Sequence, residues 1–268
     1  MRVKRIEAVE AYIRQVGSVS IQDLCDEFHV SINTIRRDID TLVQNGRIKK
    51  VYGGVVSLGR LDADSTKPQT RELMDFEVRN KEYRDEKKEI ARKAAEFVNH
   101  GDTVFLDSGS TTLQMIAYLA DKKNLTVITY SIPALAELAK YPQIRAIGLP
   151  GVVLGRTASM VGSSTCQALE QFNCSKAFMG CTGLSLTRQL TNATFEEYGV
   201  KQVALRQSKT HYLLADHEKF GHAALMSYGQ ISDMDYLITD EMPEQEYLDY
   251  FREHQVELVL TGEDVEIE

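Results

Sequence analysis

The sequence contains no apolar run long enough to cross a membrane. About 20 consecutive apolar residues are needed to span a bilayer, and no segment of the chain approaches that length. Three of the first five residues are basic, but no apolar signal-peptide core follows them. We therefore expect a cytoplasmic protein.

Patterns typical of metal sites and disulfide frameworks are also missing. The four cysteines, Cys25, Cys166, Cys174 and Cys181, form no C-x-x-C pair, and no secretory signal accompanies them. Reduced, partly buried thiols are expected rather than disulfides. The six histidines form no H-E-x-x-H motif and no Cys/His cluster with zinc-site spacing. The sequence predicts neither a metal ion nor a cofactor.

What the sequence does contain is an uneven distribution of charge. The first 60 residues hold ten Lys and Arg against seven Asp and Glu, a net charge of +3, whereas the whole chain of 268 residues carries −8. An acidic protein can bind nucleic acid when its positive charge is concentrated on one surface. The length suits one small domain and one of ordinary size.

Residues 31–42 have the pattern of a helix that enters a DNA groove. Ser31 suits an N-cap position, and Ile35, Ile39 and Leu42 repeat at helical spacing, so they share one buried face. Polar residues able to contact bases or phosphates lie off this face: Asn33, Thr34, Arg36 and Arg37. The alternative interpretation is an ordinary amphipathic helix with solvated arginines.

The neighbouring segments favour the DNA-binding interpretation. Helices are predicted over Val3–Val16 and Ile21–Phe28, and the short turn after the second gives helix-turn-helix spacing. Residues 47–56 read as two short strands around a glycine turn. Three helices and a basic hairpin make a winged helix-turn-helix. The wing residues expected to lie along phosphates or in the minor groove are Lys49, Lys50 and Tyr52. Asp38 is expected to orient an arginine rather than to touch DNA.

Beyond this segment the sequence predicts a linker and an α/β domain. We expect the DNA-binding domain over residues 1–57, a polar linker over residues 58–75, and a second domain over residues 76–268 that begins with a helix at Arg84–Val98. Seven apolar strands are predicted, at Thr103–Leu106, Leu125–Thr129, Arg145–Leu149, Ala177–Gly180, Tyr212–Ala215, Tyr236–Thr239 and Glu257–Leu260. Helices are predicted between them, at Thr112–Leu119, Pro133–Lys140, Thr165–Gln171, Phe195–Ser208 and Glu246–His254. This alternation favours a mainly parallel sheet covered on both faces.

Ligands of such sheets bind beyond the carboxyl ends of the strands, and the residues at those places are polar. The loop after the first strand consists of small polar residues: Asp107, Ser108, Gly109, Ser110, Thr111 and Thr112. Such a loop suits a phosphate, although it is also ordinary helix-entry chemistry. Thr129 and Ser131 follow the second strand, and Asp216 and Lys219 follow the fifth.

Two of these features have plain structural alternatives. Glu197 and Lys201 lie four residues apart on a predicted helix, the spacing of a surface salt bridge. Asp216 and Lys219 fit a solvated turn. Convergence of all these groups at one sheet edge would instead surround a small, anionic, polyhydroxylated ligand.

On these residues the sequence resembles the DeoR family of bacterial transcriptional regulators over nearly its full length. The N-terminal match lies at Arg5-Ile6, Val19-Ser20, Leu24, Val30-Ser31, Thr34-Ile35-Arg36-Arg37-Asp38-Ile39, Leu42 and Gly53-Gly54. The C-terminal match lies at Asp107-Ser108-Gly109-Ser110-Thr111, Thr129, Ser131, Gly151, Phe178-Met179-Gly180, Gly183, Glu197, Lys201, Leu214-Ala215-Asp216 and Lys219-Phe220-Gly221.

The resemblance implies a repressor of a sugar or polyol operon, with a sensor domain similar in fold to ribose-5-phosphate isomerase. It implies operator DNA and a phosphorylated sugar or polyol as partners, a homodimer or homotetramer, and effector contacts from the matching C-terminal residues, Gly151 and Gly183 included. Two positions depart from the family pattern: Tyr130 replaces the usual Asn, and Val152 replaces the second glycine of a pair. Tyr130 is therefore expected to change the shape of the pocket.

Two other functions fit the same residues. A sugar-phosphate isomerase with an attached DNA-binding domain would use Glu197 or Asp107 as base and Lys201 as electrostatic partner. An architectural DNA-binding protein would have no effector.

Overall fold

The computed structural model describes residues 5–6, 8–10, 12–13, 18–44, 48–51, 54–57, 69–70 and 74–262. The chain divides into two compact units, with the boundary after Lys67. Within the described ranges no helix combines the length and the apolar character that crossing a membrane requires.

The first unit has three helices and a small antiparallel sheet. Its helices are α1, which comprises the described residues between 5 and 13, α2 (Ile21–Phe28) and α3 (Ile32–Gln44). Its strands are β1 (Ser18–Ser20), β2 (Ile48–Val51) and β3 (Gly54–Ser57), in the order β1-β3-β2. Antiparallel pairing of β2 with β3 forms the hairpin expected of a wing. The predicted winged helix-turn-helix is confirmed.

One apolar stripe on α3 holds this unit together. Ile35 and Ile39 are fully buried and Leu42 is 1% exposed, as their spacing predicts. They share a core with Ile13 and Leu24, which α1 and α2 contribute. Full burial of each such side chain contributes about 1.5–3 kcal/mol, so this face fixes which side of α3 is left for solvent.

A buried carboxylate joins the first helix to the third. Asp38 is buried, and Arg5 donates to it from Nε at 2.7 Å and from Nη2 at 3.2 Å. Asp38 therefore does orient an arginine, as predicted, and that arginine lies on α1.

The second unit alternates strands and helices. Its helices are α4 (Phe76–Arg79), α5 (Arg84–Glu96), α6 (Ser110–Gln114), α7 (Ile132–Leu138), α8 (Ser163–Leu169), α9 (Phe195–Gln207) and α10 (Gln245–His254). Its strands are β4 (Gln69–Thr70), β5 (Thr103–Leu106), β6 (Thr126–Thr129), β7 (Arg145–Gly148), β8 (Val152–Leu154), β9 (Ser159–Val161), β10 (Cys174–Gly180), β11 (Gly183–Ser185), β12 (Gln189–Asn192), β13 (Ser208–Leu214), β14 (His222–Ala223), β15 (Met226–Gly229), β16 (Tyr236–Thr239) and β17 (Glu257–Leu260). Short 3-10 helices occur at Met115–Tyr118, His217–Lys219 and Ile231–Asp233.

Seven parallel strands form the central sheet, in the order β17-β16-β13-β10-β5-β6-β7. These are the seven strands that the sequence predicts. The chain runs outward from β5 through β6 to β7, and then returns to place β10 on the other side of β5. The strand order therefore reverses between β5 and β10, which is where open parallel sheets bind their ligands.

Both faces of this sheet are covered, because successive side chains of a strand point to opposite faces. On β5, Phe105 packs in the core that α8, α9 and α10 cover, while Val104 and Leu106 pack in the core that α5 and α7 cover. Leu213 and Leu214 divide in the same way on β13. The apolar runs of the sequence thus correspond to strands buried on both sides.

Three smaller strand groups have no counterpart in the sequence prediction. They are the antiparallel sheet β11-β12-β15, the hairpin β8–β9, and the two-stranded pair β14–β4. Their strands have two to four residues, and several include polar ones such as Thr191 and Asn192, so they are too short for a sequence pattern to identify. The pair β14–β4 joins Gln69 and Thr70, within the predicted linker, to the second unit.

Candidate functional site

The helix predicted to read DNA begins where the sequence places it. Ser31 caps α3: its Oγ accepts from the Thr34 N–H at 3.4 Å, and its carbonyl accepts from the Ile35 N–H at 3.1 Å. Asn33, Arg36 and Arg37 are exposed. Thr34 is half-buried, and its hydroxyl lies 2.9 Å from that of Ser31.

For two of the three predicted wing contacts, the structure describes the backbone but not the side chain. Lys49 and Lys50 lie on β2, paired with Val56 and Val55 of β3, while Tyr52 lies outside the described residues, as do the side chains of both lysines.

In the second unit, Asp107 and Ser108 meet Lys201 and Glu197 at the point where the strand order reverses. Asp107 follows β5 and is 1% exposed. It accepts hydrogen bonds from the Lys201 ammonium, from the Gly180 N–H at 2.8 Å and from the Tyr130 hydroxyl at 2.5 Å. Burial raises the pKa of Asp107, but the Lys201 charge and these hydrogen bonds outweigh it and hold the pKa below its ordinary value. Asp107 and Lys201 therefore form an ionised, buried pair.

Glu197 is held in a different way, by hydroxyl groups. It is buried, and it accepts from Ser108 Oγ at 2.7 Å and from Thr194 Oγ1 at 2.8 Å. Thr194 also caps α9. The alternative interpretation, a surface salt bridge between Glu197 and Lys201, is wrong. Both side chains are buried, and each is bound to other partners.

Loop 107–112 is stabilised by hydrogen bonds within the loop, and two of its hydroxyls, those of Ser110 and Thr111, are available to bind a ligand. Thr112 is fully buried and donates to the carbonyls of Asp107 at 2.8 Å and Gly109 at 2.9 Å. Ser110 and Thr111 are almost fully buried and make no side-chain hydrogen bond within the described part of the chain. Two donors of this kind at the carboxyl end of β5 suit the oxygens of a bound ligand.

The loop after β6 positions Asp107 and α7 and has little exposed surface. Thr129 donates to the Leu106 carbonyl at 2.7 Å, and Ser131 caps α7 by accepting from the Ala134 N–H at 3.3 Å. Tyr130 is fully buried, and burial raises the pKa of its hydroxyl well above the ordinary value, so it stays protonated and donates to Asp107. The departure at this position therefore supports the buried carboxylate.

Asp216, after β13, is the most unusual of the predicted residues. It is fully buried, and neither of its carboxylate oxygens accepts a hydrogen bond in the part of the chain that the structure describes. Lys219 Nζ lies 3.8 Å from Oδ2, too far for a hydrogen bond. The alternative of a solvated turn is wrong here. A buried carboxylate without donors is costly, so hydroxyl groups of a ligand would complete its environment.

The two predicted glycines have steric reasons for being glycine. A Cβ on Gly151 would lie 2.4 Å from Thr165 Oγ1, and one on Gly183 would lie 2.6 Å from the His222 carbonyl oxygen. Val152, the departure beside Gly151, is 72% exposed on β8, so it leaves the buried cluster unchanged.

Sequence reasoning missed three residues next to the buried cluster. Tyr228 donates to the Gly180 carbonyl at 3.0 Å, and its ring lies 4.8 Å from Lys201 Nζ. Thr194 holds Glu197. Arg79, on α4, is near enough for the charges of Glu197 and Asp107 to act on its pKa. Thr194 carries a local signal, because it lies three residues before Glu197, the Ser/Thr-x-x-Glu spacing of a helix N-terminus. No such pattern marks Tyr228 or Arg79.

Among the residues that the structure describes, His217, Asp240 and Glu241 form a group of side chains close enough to share a metal ion. His217 Nδ1 lies 2.5 Å from Asp240 Oδ2, which makes these two groups hydrogen-bond partners of each other.

Taken together, a winged helix-turn-helix and a buried polar cluster at a sheet's switch point define a DNA-binding protein with a small-molecule sensor. Comparison with family models agrees with both parts. Residues 5–60 match the DeoR-like helix-turn-helix domain, and residues 82–241 match the DeoR C-terminal sensor domain. The chain belongs to the DeoR family of transcriptional regulators.

Relatives of known name match over nearly the full length. The HTH-type transcriptional regulator IolR of Bacillus subtilis is 38% identical over 96% of this chain and 98% of its own. The glycerol-3-phosphate regulon repressor of Escherichia coli is 27% identical over 97% of this chain and 99% of its own. Among solved structures, ribose 5-phosphate isomerase A from Neisseria gonorrhoeae matches 50% of this chain and 52% of its own, with 20% identity and a TM-score of 0.37.

Proposed function

We propose that this protein is a cytoplasmic repressor of a sugar or polyol utilisation operon, controlled by a phosphorylated sugar or polyol. The observation that carries the proposal is the pairing, in one chain, of exposed Asn33, Arg36 and Arg37 on a capped helix with a buried polar cluster around Asp107. Two relatives are named as a transcriptional regulator and as a regulon repressor.

In this proposal residues 1–57 bind operator DNA and residues 58–75 connect them to a sensor over residues 76–268. One described contact suits this connection: β4, in the connecting segment, pairs with β14, which follows the loop of Asp216 and Lys219 almost directly. A ligand that orders this loop would act on the segment leading to the DNA-binding unit. It can change DNA affinity only if it binds more tightly to one of the two arrangements.

The DNA contacts of α3 are assigned by exposure and chemistry, and those of the wing by sequence pattern. Arg36 and Arg37 are the base-reading or phosphate-binding residues of α3, with Asn33, Thr34 and Ser31 beside them, and Lys49, Lys50 and Tyr52 act from the wing. A single small domain offers few base contacts, so the protein binds repeated half-sites as a homodimer or homotetramer.

A direct test uses fluorescence anisotropy with fragments from the promoter region upstream of the protein's own gene and its neighbours. Arg36→Ala or Arg37→Ala should weaken binding by about 1–3 kcal/mol if the residue reads a base, and should relax specificity at one base pair. If the residue contacts phosphate, all sequences should weaken alike and the salt slope should fall by about one. Arg188→Ala, in the second unit, is the control. Unchanged binding in both α3 variants would overturn the docking assignment.

We further propose that the second unit senses its ligand without converting it. Lys201 is bound to Asp107, and Glu197 accepts from two hydroxyls, so the groups that an isomerase would use for proton transfer are already fixed by protein partners. Incubation with sugar phosphates should raise the melting temperature of the protein and yield no product. Turnover would favour the isomerase, and no shift with any phosphorylated metabolite would favour an architectural protein.

A further inference from the structure

Arg79 is held next to α6, the helix that loop 107–112 leads into, by the segment that carries it. The Phe76 N–H donates to the Arg156 carbonyl at 2.9 Å, which anchors the start of α4. Asn80, directly after Arg79, accepts a hydrogen bond at 3.1 Å from Gln114 at the end of α6. The Arg79 carbonyl accepts from Lys87 Nζ at 2.6 Å. Backbone and neighbours thus fix Arg79 on both sides.

Among the described residues, none is an anionic partner of the Arg79 guanidinium group. Its Nε donates to the Met74 carbonyl at 3.2 Å. Its Cζ lies 5.6 Å from the centre of the Phe76 ring. Within the described part of the chain no carboxylate lies within salt-bridge distance of it, and no acceptor is bound to its two terminal nitrogens. Two adjacent N–H groups of arginine form a fork that matches a phosphate or a carboxylate.

Two carboxylates act on Arg79 from the cluster, and both are already satisfied. Burial lowers the pKa of Arg79, while the charges of Glu197, Asp107 and Asp75 act in the opposite direction. Asp107 is neutralised by Lys201, Glu197 accepts from Ser108 and Thr194, and Asp75 pairs with Arg156. Among the described residues, Arg79 is therefore a surplus, partly desolvated cation. Desolvating a charge without a partner costs stability, a cost that a bound anion would offset.

We propose that Arg79 binds the phosphate group of the effector through its two terminal nitrogens. This inference rests on the proposed function, because it assigns a residue to the effector of that same sensor. The hydroxyls of Ser110 and Thr111 are available for further phosphate oxygens, and Asp216 accepts from the hydroxyls of the sugar or polyol. The site thereby discriminates a phosphorylated ligand from its neutral parent.

The experiment measures binding to the full-length protein by calorimetry and thermal shift. The probes are inorganic phosphate, glycerol 3-phosphate, sorbitol 6-phosphate, fructose 1-phosphate and myo-inositol 1-phosphate, together with the unphosphorylated parents of the last four. Arg79→Gln should weaken binding of the phosphorylated probe that the unchanged protein prefers by about 10- to 100-fold. Arg79→Lys, which keeps the charge without the fork, should weaken it less. Arg84→Gln removes an exposed arginine five residues along and should have no effect.

Two further readouts separate phosphate binding from a structural role. Without ligand, Arg79→Gln should melt at the same temperature as the unchanged protein or higher, because it removes an unpaired cation. The affinity of the unchanged protein for the phosphorylated probe should rise between about pH 5 and pH 7, because the phosphate loses its second proton in this range. Arg79→Gln should reduce this rise.

Each outcome decides between the hypotheses. If the unchanged protein responds to a phosphorylated probe and Arg79→Gln responds equally, only the assignment of Arg79 is overturned. The unliganded variants could instead melt at a lower temperature and bind more weakly while the pH dependence is retained. That result would give Arg79 a structural role and would also overturn its assignment to the phosphate. If no phosphorylated probe binds the unchanged protein, the effector class in the proposed function fails, and this assignment fails with it.

Discussion

The exposed face of α3 in the first unit and the buried cluster of the second unit hold their charges in opposite ways. On α3 of the first unit, Asn33, Arg36 and Arg37 are exposed. In the second unit Asp107 and Lys201 are at most 4% exposed, and they are bound to each other. A large, charged ligand such as duplex DNA approaches an open surface, and its phosphates are met by solvated side chains. A small ligand must be surrounded, so its site is buried and its charges have to be balanced within the protein.

Burial also changes what a mutation costs. Exposed ion pairs contribute little to stability, whereas the loss of one partner of a buried pair leaves an uncompensated charge. Substitutions of the exposed polar residues of α3 should therefore affect mainly DNA binding, and those in the buried cluster of the second unit should affect mainly folding and ligand binding. Three predictions test this contrast.

The largest effect is expected at the buried ion pair. Lys201→Met leaves the ionised Asp107 buried, with Tyr130 and the Gly180 N–H as its only described partners, and should destabilise the second unit by about 3–5 kcal/mol. Urea unfolding of the full-length protein measures this. Lys140→Met breaks an ion pair in which Lys140 is 67% exposed, and should change stability little. Adding Asp107→Asn to Lys201→Met should recover part of the loss. Equal stabilities of the two single variants would refute the contrast.

A smaller, pH-dependent effect is expected at Lys87. Burial lowers the pKa of this side chain from 10.5 to about 8, so between these values the unfolded chain binds more protons than the folded one. The contribution of Lys87 to stability should therefore increase as pH rises through this window, by about 2–3 kcal/mol, and be constant below it.

The measurement compares urea unfolding of the unchanged protein and Lys87→Met at several pH values from about 7 to 10. Other groups titrate in this range, so the informative quantity is the difference between the two proteins. Lys88→Met is the control, because this neighbouring side chain is 39% exposed and pairs with Asp85. A difference that stays constant with pH would show that Lys87 keeps its ordinary proton affinity in the fold.

The smallest effect is expected at the cap of α3. Ser31→Ala removes the oxygen that accepts from the Thr34 N–H and should destabilise the first unit by about 1 kcal/mol. Ser31→Asn supplies another capping oxygen and should be as stable as the unchanged protein. Thermal unfolding gives the stability, and anisotropy with operator DNA gives the affinity. An alanine variant as stable as the asparagine variant would mean that the cap does not stabilise this helix.

Much of the fold follows from local sequence pattern. Apolar spacing and a capping serine define α3 without knowledge of the rest of the chain, because a helix face and a helix end are set by residues within a few positions of each other. Continuous apolar runs identify the strands of the central sheet for the same reason. The short strands β8, β9, β11, β12, β14 and β15 depend on their neighbours for stability, and local pattern does not reveal them.

The sequence by itself determined that Asp107, Glu197, Lys201 and Asp216 stand at strand ends or on one helix, and it could not determine their partners. Spacing alone allowed Glu197 to pair with Lys201, yet the fold joins Lys201 to Asp107, 94 residues away. It also places Arg79 near enough for the charges of Glu197 and Asp107 to act on its pKa. Partner choice among buried charges is decided by which elements the sheet order brings to one edge, since a carboxylate and an ammonium leave water together only where the tertiary structure sets them in contact.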